Sequence, residues 1–131
     1  MQTLQPPGWA KPKGYSNGIV AKGRLVFVAG QVGWNNAQEK FETSDFAGQA
    51  RQALKNIVAI LAEAGARPEH ICRMNWYVGD AKEYNASLKE LGAVYREVIG
   101  RNFPVMTALQ VAGFVEAGAK LEIEVTAVLP E

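Results

Sequence analysis

Residues 24–31 read RLVFVAGQ, a run of β-branched and aromatic residues whose period-two alternation sets Leu25, Phe27 and Ala29 on one side and Val26, Val28 and Gly30 on the other. Both sides are apolar. A strand that alternates in this way asks for cover on both faces of its sheet, which limits the architectures the rest of the chain can build. Upstream, Ile19, Val20 and Ala21 run into Lys22-Gly23, so the spacing predicts a hairpin with 24–31 as its second arm. The first fourteen residues carry Pro6, Pro7, Gly8, Pro12 and Gly14 and are expected to form a lead-in without regular structure.

Downstream, GWNNAQEKF (33–41) is polar and predicts a loop, after which Ser44 or Asp45 can cap a helix. In that helix Phe46, Ala50, Ala53, Ile57 and Leu61 recur at three- and four-residue spacing, and Gly65 stands at the expected C-terminal stop. ICRMNWYV (71–78) predicts a third strand. A second helix follows, with Tyr84, Leu88, Leu91, Tyr95, Val98 and Ile99 on one face and Gly100 with Pro104 ending it. Val105 to Ala112 and Lys120 to Leu129 complete the set; the last alternates Leu121, Ile123, Val125 and Ala127 against Glu122, Glu124, Thr126 and Val128. The order is ββαβαββ, an α+β fold in a single domain spanning residues 1–131.

Two amphipathic helices cover one face of such a sheet and leave the other to something else. Along 71–78, Arg73, Asn75 and Tyr77 alternate with Cys72, Met74, Trp76 and Val78, a mixed polar and aromatic face that suits an interface. At about 25 cal/mol per Å² of apolar area, leaving these side chains wet costs several kcal/mol, so further copies of the chain are the expected cover. The competing reading folds the lead-in or the long loops over that face.

Fourteen basic and thirteen acidic side chains give a net charge of +1 with no basic run, which disfavours nucleic acid as a partner. No apolar stretch approaches the roughly 20 residues of a membrane span, and the N-terminal segment has no apolar signal core. The single cysteine, Cys72, has no internal disulfide partner and suits a reducing compartment, so a cytoplasmic location is expected. One histidine, His70, and one cysteine are too few for a protein-built metal site, and no cofactor is expected. Cys72 reads as a small buried hydrophobe and His70 as a turn cap rather than as a reactive pair. Trp34 and Trp76 fit a ligand cleft or, by base rate, core and interface. Phosphate-loop and nucleophile-elbow motifs are both missing.

The remaining constellation is Tyr15 before the first strand, Gly30-Gln31 at the end of the second, and Glu122 on the last. With GYSNGI (14–19), LVFVAGQV (25–32), QARQALKNIVAILAEAG (49–65), MNWYVGD (74–80), FPVMTALQV (103–111) and KLEIEVTAV (120–128), the chain resembles the RidA/YjgF family, also called L-PSP or UK114, over nearly its whole length. The resemblance implies a chorismate-mutase-like fold, a homotrimer with clefts between subunits, and a small-molecule ligand. It implies hydrolysis of enamine or imine intermediates such as 2-aminoacrylate to a keto acid and ammonia; some relatives act on amino-muconates. An older family label, endoribonuclease or translation inhibitor, fits the balanced charge poorly.

Carried over position by position, the resemblance makes Glu122 the residue that orients water or moves protons. Tyr15, Ala29, Gly30, Gln31, Met106, Thr107 and Ala108 become ligand-binding positions. The family's Pro-Ala-Arg-Ser reads Pro104-Val105-Met106-Thr107, so Met106 stands where an arginine would hold the substrate carboxylate. Ala29 and Ala108 likewise replace a serine and a cysteine. Losing a bidentate charged pair costs about 2–4 kcal/mol, roughly 30- to 1000-fold in binding, so weak action on 2-iminoacids is expected. A non-catalytic ligand-binding or regulatory protein is the alternative reading.

Overall fold

The computed structural model describes residues 1–131. Four strands form the main sheet, β3 (Arg24–Val32), β4 (Ile71–Val78), β5 (Val105–Gln110) and β6 (Leu121–Leu129), in the order β3-β6-β4-β5. β6 runs antiparallel to both neighbours, and β4 and β5 run parallel. A parallel pair needs a long crossover, which α2 (Ala81–Ala86) and α3 (Leu88–Val98) supply. The fold is α+β, as expected, with the helices on one face of the sheet.

Helix α1 (Phe46–Glu63) forms where the periodicity placed it. Asp45 rather than Ser44 is the cap, its carboxylate accepting the Gly48 N–H at 2.8 Å. At the other end Gly65 takes φ +74°, and the N–H groups of Gly65 and Ala66 donate to the carbonyls of Ala62 and Leu61, the glycine-terminated stop that satisfies the last free carbonyls. Ala50, Ala53, Leu54, Ile57 and Leu61 are buried against Leu121, Ile123, Val125 and Ala127 of β6 and Met74 of β4 in one core.

Three expectations are corrected. The lead-in is not wholly irregular: Gln2–Leu4 (β1) pairs antiparallel with Gly18–Val20 (β2), because the prolines all lie in the connecting turn. The expected hairpin does not form. β2 pairs with β1, whereas β3 pairs with β6, and Gly23 between them sits at φ +148° with no room for a Cβ, which would lie 2.0 Å from the Leu129 carbonyl oxygen. That close approach docks the start of β3 on the end of β6 and turns β2 away. Finally, the second helix is two. The Ser87 hydroxyl donates back to the Glu83 carbonyl at 2.7 Å and the backbone there leaves helical geometry, so the axis breaks between α2 and α3.

The helix-free face of the sheet is bare over β3: Phe27 is 72% and Leu25 59% exposed. The β1–β2 ribbon covers only the corner beside β5, where Leu4 and Ile19 approach Arg73 and Val105. The lead-in therefore shelters part of the second face and leaves its apolar centre open.

Candidate functional site

Tyr15 reaches the sheet because the segment after it adds to the edge of β5. Ser16 bridges Val105 in parallel, its N–H donating to the Pro104 carbonyl at 3.1 Å. The result is a cavity of about 400 Å³ between the ribbon and β4–β5, lined by Tyr15, Ser16, Asn17, Arg73, Asn75, Met106 and Thr107. Three of the sequence-derived positions, Tyr15, Met106 and Thr107, thus meet. Register explains their orientation: Val105 and Thr107 pair with Arg73 and Asn75, and Met106 pairs with Met74 and packs against the core.

Arg73 was not singled out from sequence, yet it lies at the junction of two hollows. The second, about 520 Å³, includes Phe27, Ala29, Arg73, Asn75, Glu124 and Thr126. The chain's three ion pairs are Arg51–Glu97, Arg67–Glu69 and Lys120–Glu83, so Arg73 presents an unpaired guanidinium to the open face. Beside it Glu124 accepts a hydrogen bond from Asn75 Nδ2 at 3.1 Å and another from the Tyr77 hydroxyl. The carboxylate holds the Tyr77 phenol above its ordinary range, since the hydrogen bond to Glu124 favours the protonated form. Arg73, Asn75, Tyr77 and Glu124 make a polar strip across β4 and β6. Its sequence signal was the period-two polar set on β4 opposite the glutamates of β6; what could not be read was the register that joins them.

Glu122 lies in a third hollow of about 370 Å³ with Tyr77, Val111, Phe114, Val115 and Glu124. Gly30 lies directly against its carboxylate. Gln31 is occupied locally, its amide donating to the Ala29 carbonyl at 3.1 Å and accepting from Asn36 at 2.9 Å. Ala108, exposed on β5 in register with Trp76, lines none of the three hollows. Within one chain, then, Tyr15, Met106 and Thr107 line the first hollow, Ala29 the second and Glu122, with Gly30 against its carboxylate, the third; Arg73 and Asn75 join the first to the second, and Glu124 joins the second to the third.

His70 is a turn cap, its Nδ1 accepting the Arg67 N–H at 2.9 Å, and it makes no pair with Cys72. The Cys72 thiol donates to the Thr126 carbonyl at 3.3 Å, and burial pushes its pKa up, against thiolate chemistry. Trp34 packs on Phe41 with ring centroids 5.5 Å apart, and Trp76 is almost wholly buried. No three His, Cys, Asp or Glu side chains gather as a metal site, and no helix is long and apolar enough to cross a membrane.

Comparison with known proteins agrees with this architecture. A sequence model of the family described as Endoribonuclease L-PSP matches residues 9–129. A RutC family protein of Aquifex aeolicus is 34% identical over 131 residues, covering 98% of this chain and 99% of its own. Human 2-iminobutanoate/2-iminopropanoate deaminase is 28% identical over 128 residues, 98% of this chain and 88% of its own. A Yersinia pestis member of the conserved Rid protein family, of unknown function, superposes with a TM-score of 0.85 at 27% identity over 98% of each chain. Sequence match, sheet order and helix placement lead to one conclusion: the chain belongs to the Endoribonuclease L-PSP family, the RidA/YjgF group.

Proposed function

We propose that the chain hydrolyses the C=N bond of an imine metabolite, or of the imine tautomer of an enamine, at clefts completed by neighbouring copies in a homotrimer, with Glu122 handling water and protons. The carrying observation is the division of the candidate residues into two open hollows. The first of these hollows has no carboxylate and the other no cation, while the hollow between them holds Arg73 and Glu124 but not Glu122; a symmetric partner can bring the Gly30–Glu122 group of one copy beside the Tyr15–Thr107 group of another. Bare Leu25 and Phe27 supply apolar area for that contact.

In the proposed step, water adds to the imine carbon as a proton reaches nitrogen, and the resulting carbinolamine releases ammonia and leaves a keto group. Glu122 takes one proton from the attacking water and passes it to the imine nitrogen, then takes the carbinolamine hydroxyl proton and passes it to the departing amine. The weaker side of the site is the anchor. Met106 offers no charge, so small 2-iminoacids are held poorly; Arg73, on the next strand and unpaired, can meet a carboxylate set further from the C=N bond, as in an amino-muconate. The balanced charge and lack of a basic groove do not favour an RNA substrate.

The test is a coupled assay with enzymatically generated 2-aminoacrylate beside an amino-muconate semi-substrate carrying a distal carboxylate. The expected result is turnover of the second at least thirtyfold above the first, lost in Glu122→Gln and reduced in Arg73→Gln. Stabilisation by either compound without any ammonia release would favour the ligand-binding alternative. Equal, rapid turnover of 2-aminoacrylate would overturn the weight placed on Met106.

A further inference from the structure

On the other side of the sheet, α2 and α3 stand off from β4 and leave a groove of about 360 Å³. Its walls are aromatic. Trp76 and Tyr84 meet edge to face with centroids 6.2 Å apart, and Tyr95 stacks on Phe103 at the same distance with planes 12° apart. Leu88, half exposed, extends the apolar wall. Two cations, Lys13 and Arg96, stand at the rim, and neither takes part in the chain's three ion pairs. The Tyr95 hydroxyl is tied to the Asn102 carbonyl at 2.6 Å, whereas the Tyr84 hydroxyl has no partner in the chain.

Gly92 points to use of this space. Glycine is the poorest helix former after proline, yet it sits inside α3 and lines the groove. A Cβ there would meet only Arg96 Nη1, at 3.4 Å, an ordinary contact with the end of a flexible side chain. Packing therefore does not require glycine at 92; its effect is to keep the wall beside the guanidinium empty.

We propose that this groove is a second ligand site, distinct from the hollows on the open sheet face, and that it takes a planar aromatic carboxylate. The ring lies along the wall formed by Tyr84, Leu88 and Phe103, with the buried Trp76 beneath it, and the carboxylate faces Arg96 and Lys13, which supply the charge complementarity that an apolar groove alone would lack. The Tyr84 hydroxyl is free to donate to a substituent on the ring.

Calorimetric titration of the full chain with 2-naphthoate tests this. The expected result is saturable binding of one molecule per chain, at least tenfold weaker for the neutral isostere 2-naphthalenemethanol and at least tenfold weaker in Arg96→Gln. Arg51→Gln, which removes the same charge from an ion pair with Glu97, should leave binding unchanged. Gly92→Leu should fill the groove and abolish binding while holding or raising the melting temperature. Absence of saturable heat, binding that survives Gly92→Leu, or binding lost on Arg73→Gln but kept in Arg96→Gln would each overturn the proposal, the last by moving the ligand to the sheet face.

Discussion

Gly30 faces Glu122 so closely that a Cβ at position 30 would lie 2.2 Å from Oε2 and 2.9 Å from the carboxyl carbon. The glycine is there to leave room for a carboxylate, since its backbone is not in the left-handed region. Gly30→Ala must displace Glu122, and the displaced atoms are the far end of a flexible side chain. The expected outcome is a stability change under about 1 kcal/mol in urea unfolding, with the proposed C=N hydrolysis falling as far as it does in Glu122→Gln. A Gly30→Ala protein with full activity would show that the position of this carboxylate does not matter.

Phe27 and Leu25 predict assembly. Each buries about 1.5–3 kcal/mol of transfer free energy when fully covered, and one chain leaves both exposed. Light scattering should give three times the 14.2 kDa chain mass at micromolar concentration. Phe27→Glu should shift the protein to monomer while far-UV dichroism keeps its native shape. A Phe27→Glu protein of unchanged mass would exclude this face as the interface.

How far these features were legible depended on how local their causes are. Helix α1 could be read to within a residue or two, because Phe46, Ala50, Ala53, Ile57 and Leu61 mark its face while Ser44 or Asp45 and Gly65 bracket its ends. The alternation of β6 was equally plain. The partner of β2 was not: Gly23 looks like a hairpin turn in sequence, and only the approach of Leu129, over a hundred residues away, makes it something else. β1 is three residues without a pattern, too short to announce itself. Ser87 gave no warning of a break, since serine is tolerated in many helices and its back-bond to Glu83 is a matter of geometry. The same limit hid the polar strip. Arg73, Asn75 and Tyr77 were visible as one face of β4, but their meeting with Glu124 depends on a register between strands some fifty residues apart.

Gln49 is the fold's buried polar clamp, fully inaccessible. Its amide donates to the carbonyls of Thr43 and Gly118 at 3.1 and 3.0 Å, and its carbonyl accepts the Lys120 N–H at 2.8 Å. It ties the start of α1 to the loop before β6, which carries Glu122. Gln49→Leu keeps the volume and strands three backbone groups, so unfolding free energy should fall by about 2–4 kcal/mol, measured by urea titration. A loss below 0.5 kcal/mol, on the order of a surface substitution, would mean that water replaces the amide without penalty.

The tyrosines set the alkaline limit of stability. Tyr77 is raised first by its hydrogen bond to Glu124, and Tyr84 and Tyr95 are raised by burial. A phenol whose folded pKa lies above its unfolded value of about 10 binds its proton more tightly in the folded state. Its contribution is therefore fully present below pH 10 and is lost as pH rises through the folded value. Stability should fall steadily above about pH 10, and ultraviolet titration should find these phenols ionising above the ordinary phenol range. In Glu124→Gln the Tyr77 step should move back towards the ordinary value, because the substitution removes the charged acceptor and the neighbouring negative charge together. Burial of Tyr84 and Tyr95 is untouched by that change, so their steps should stay where they are. A Tyr77 step that stays put would show that the carboxylate contact does not govern its proton.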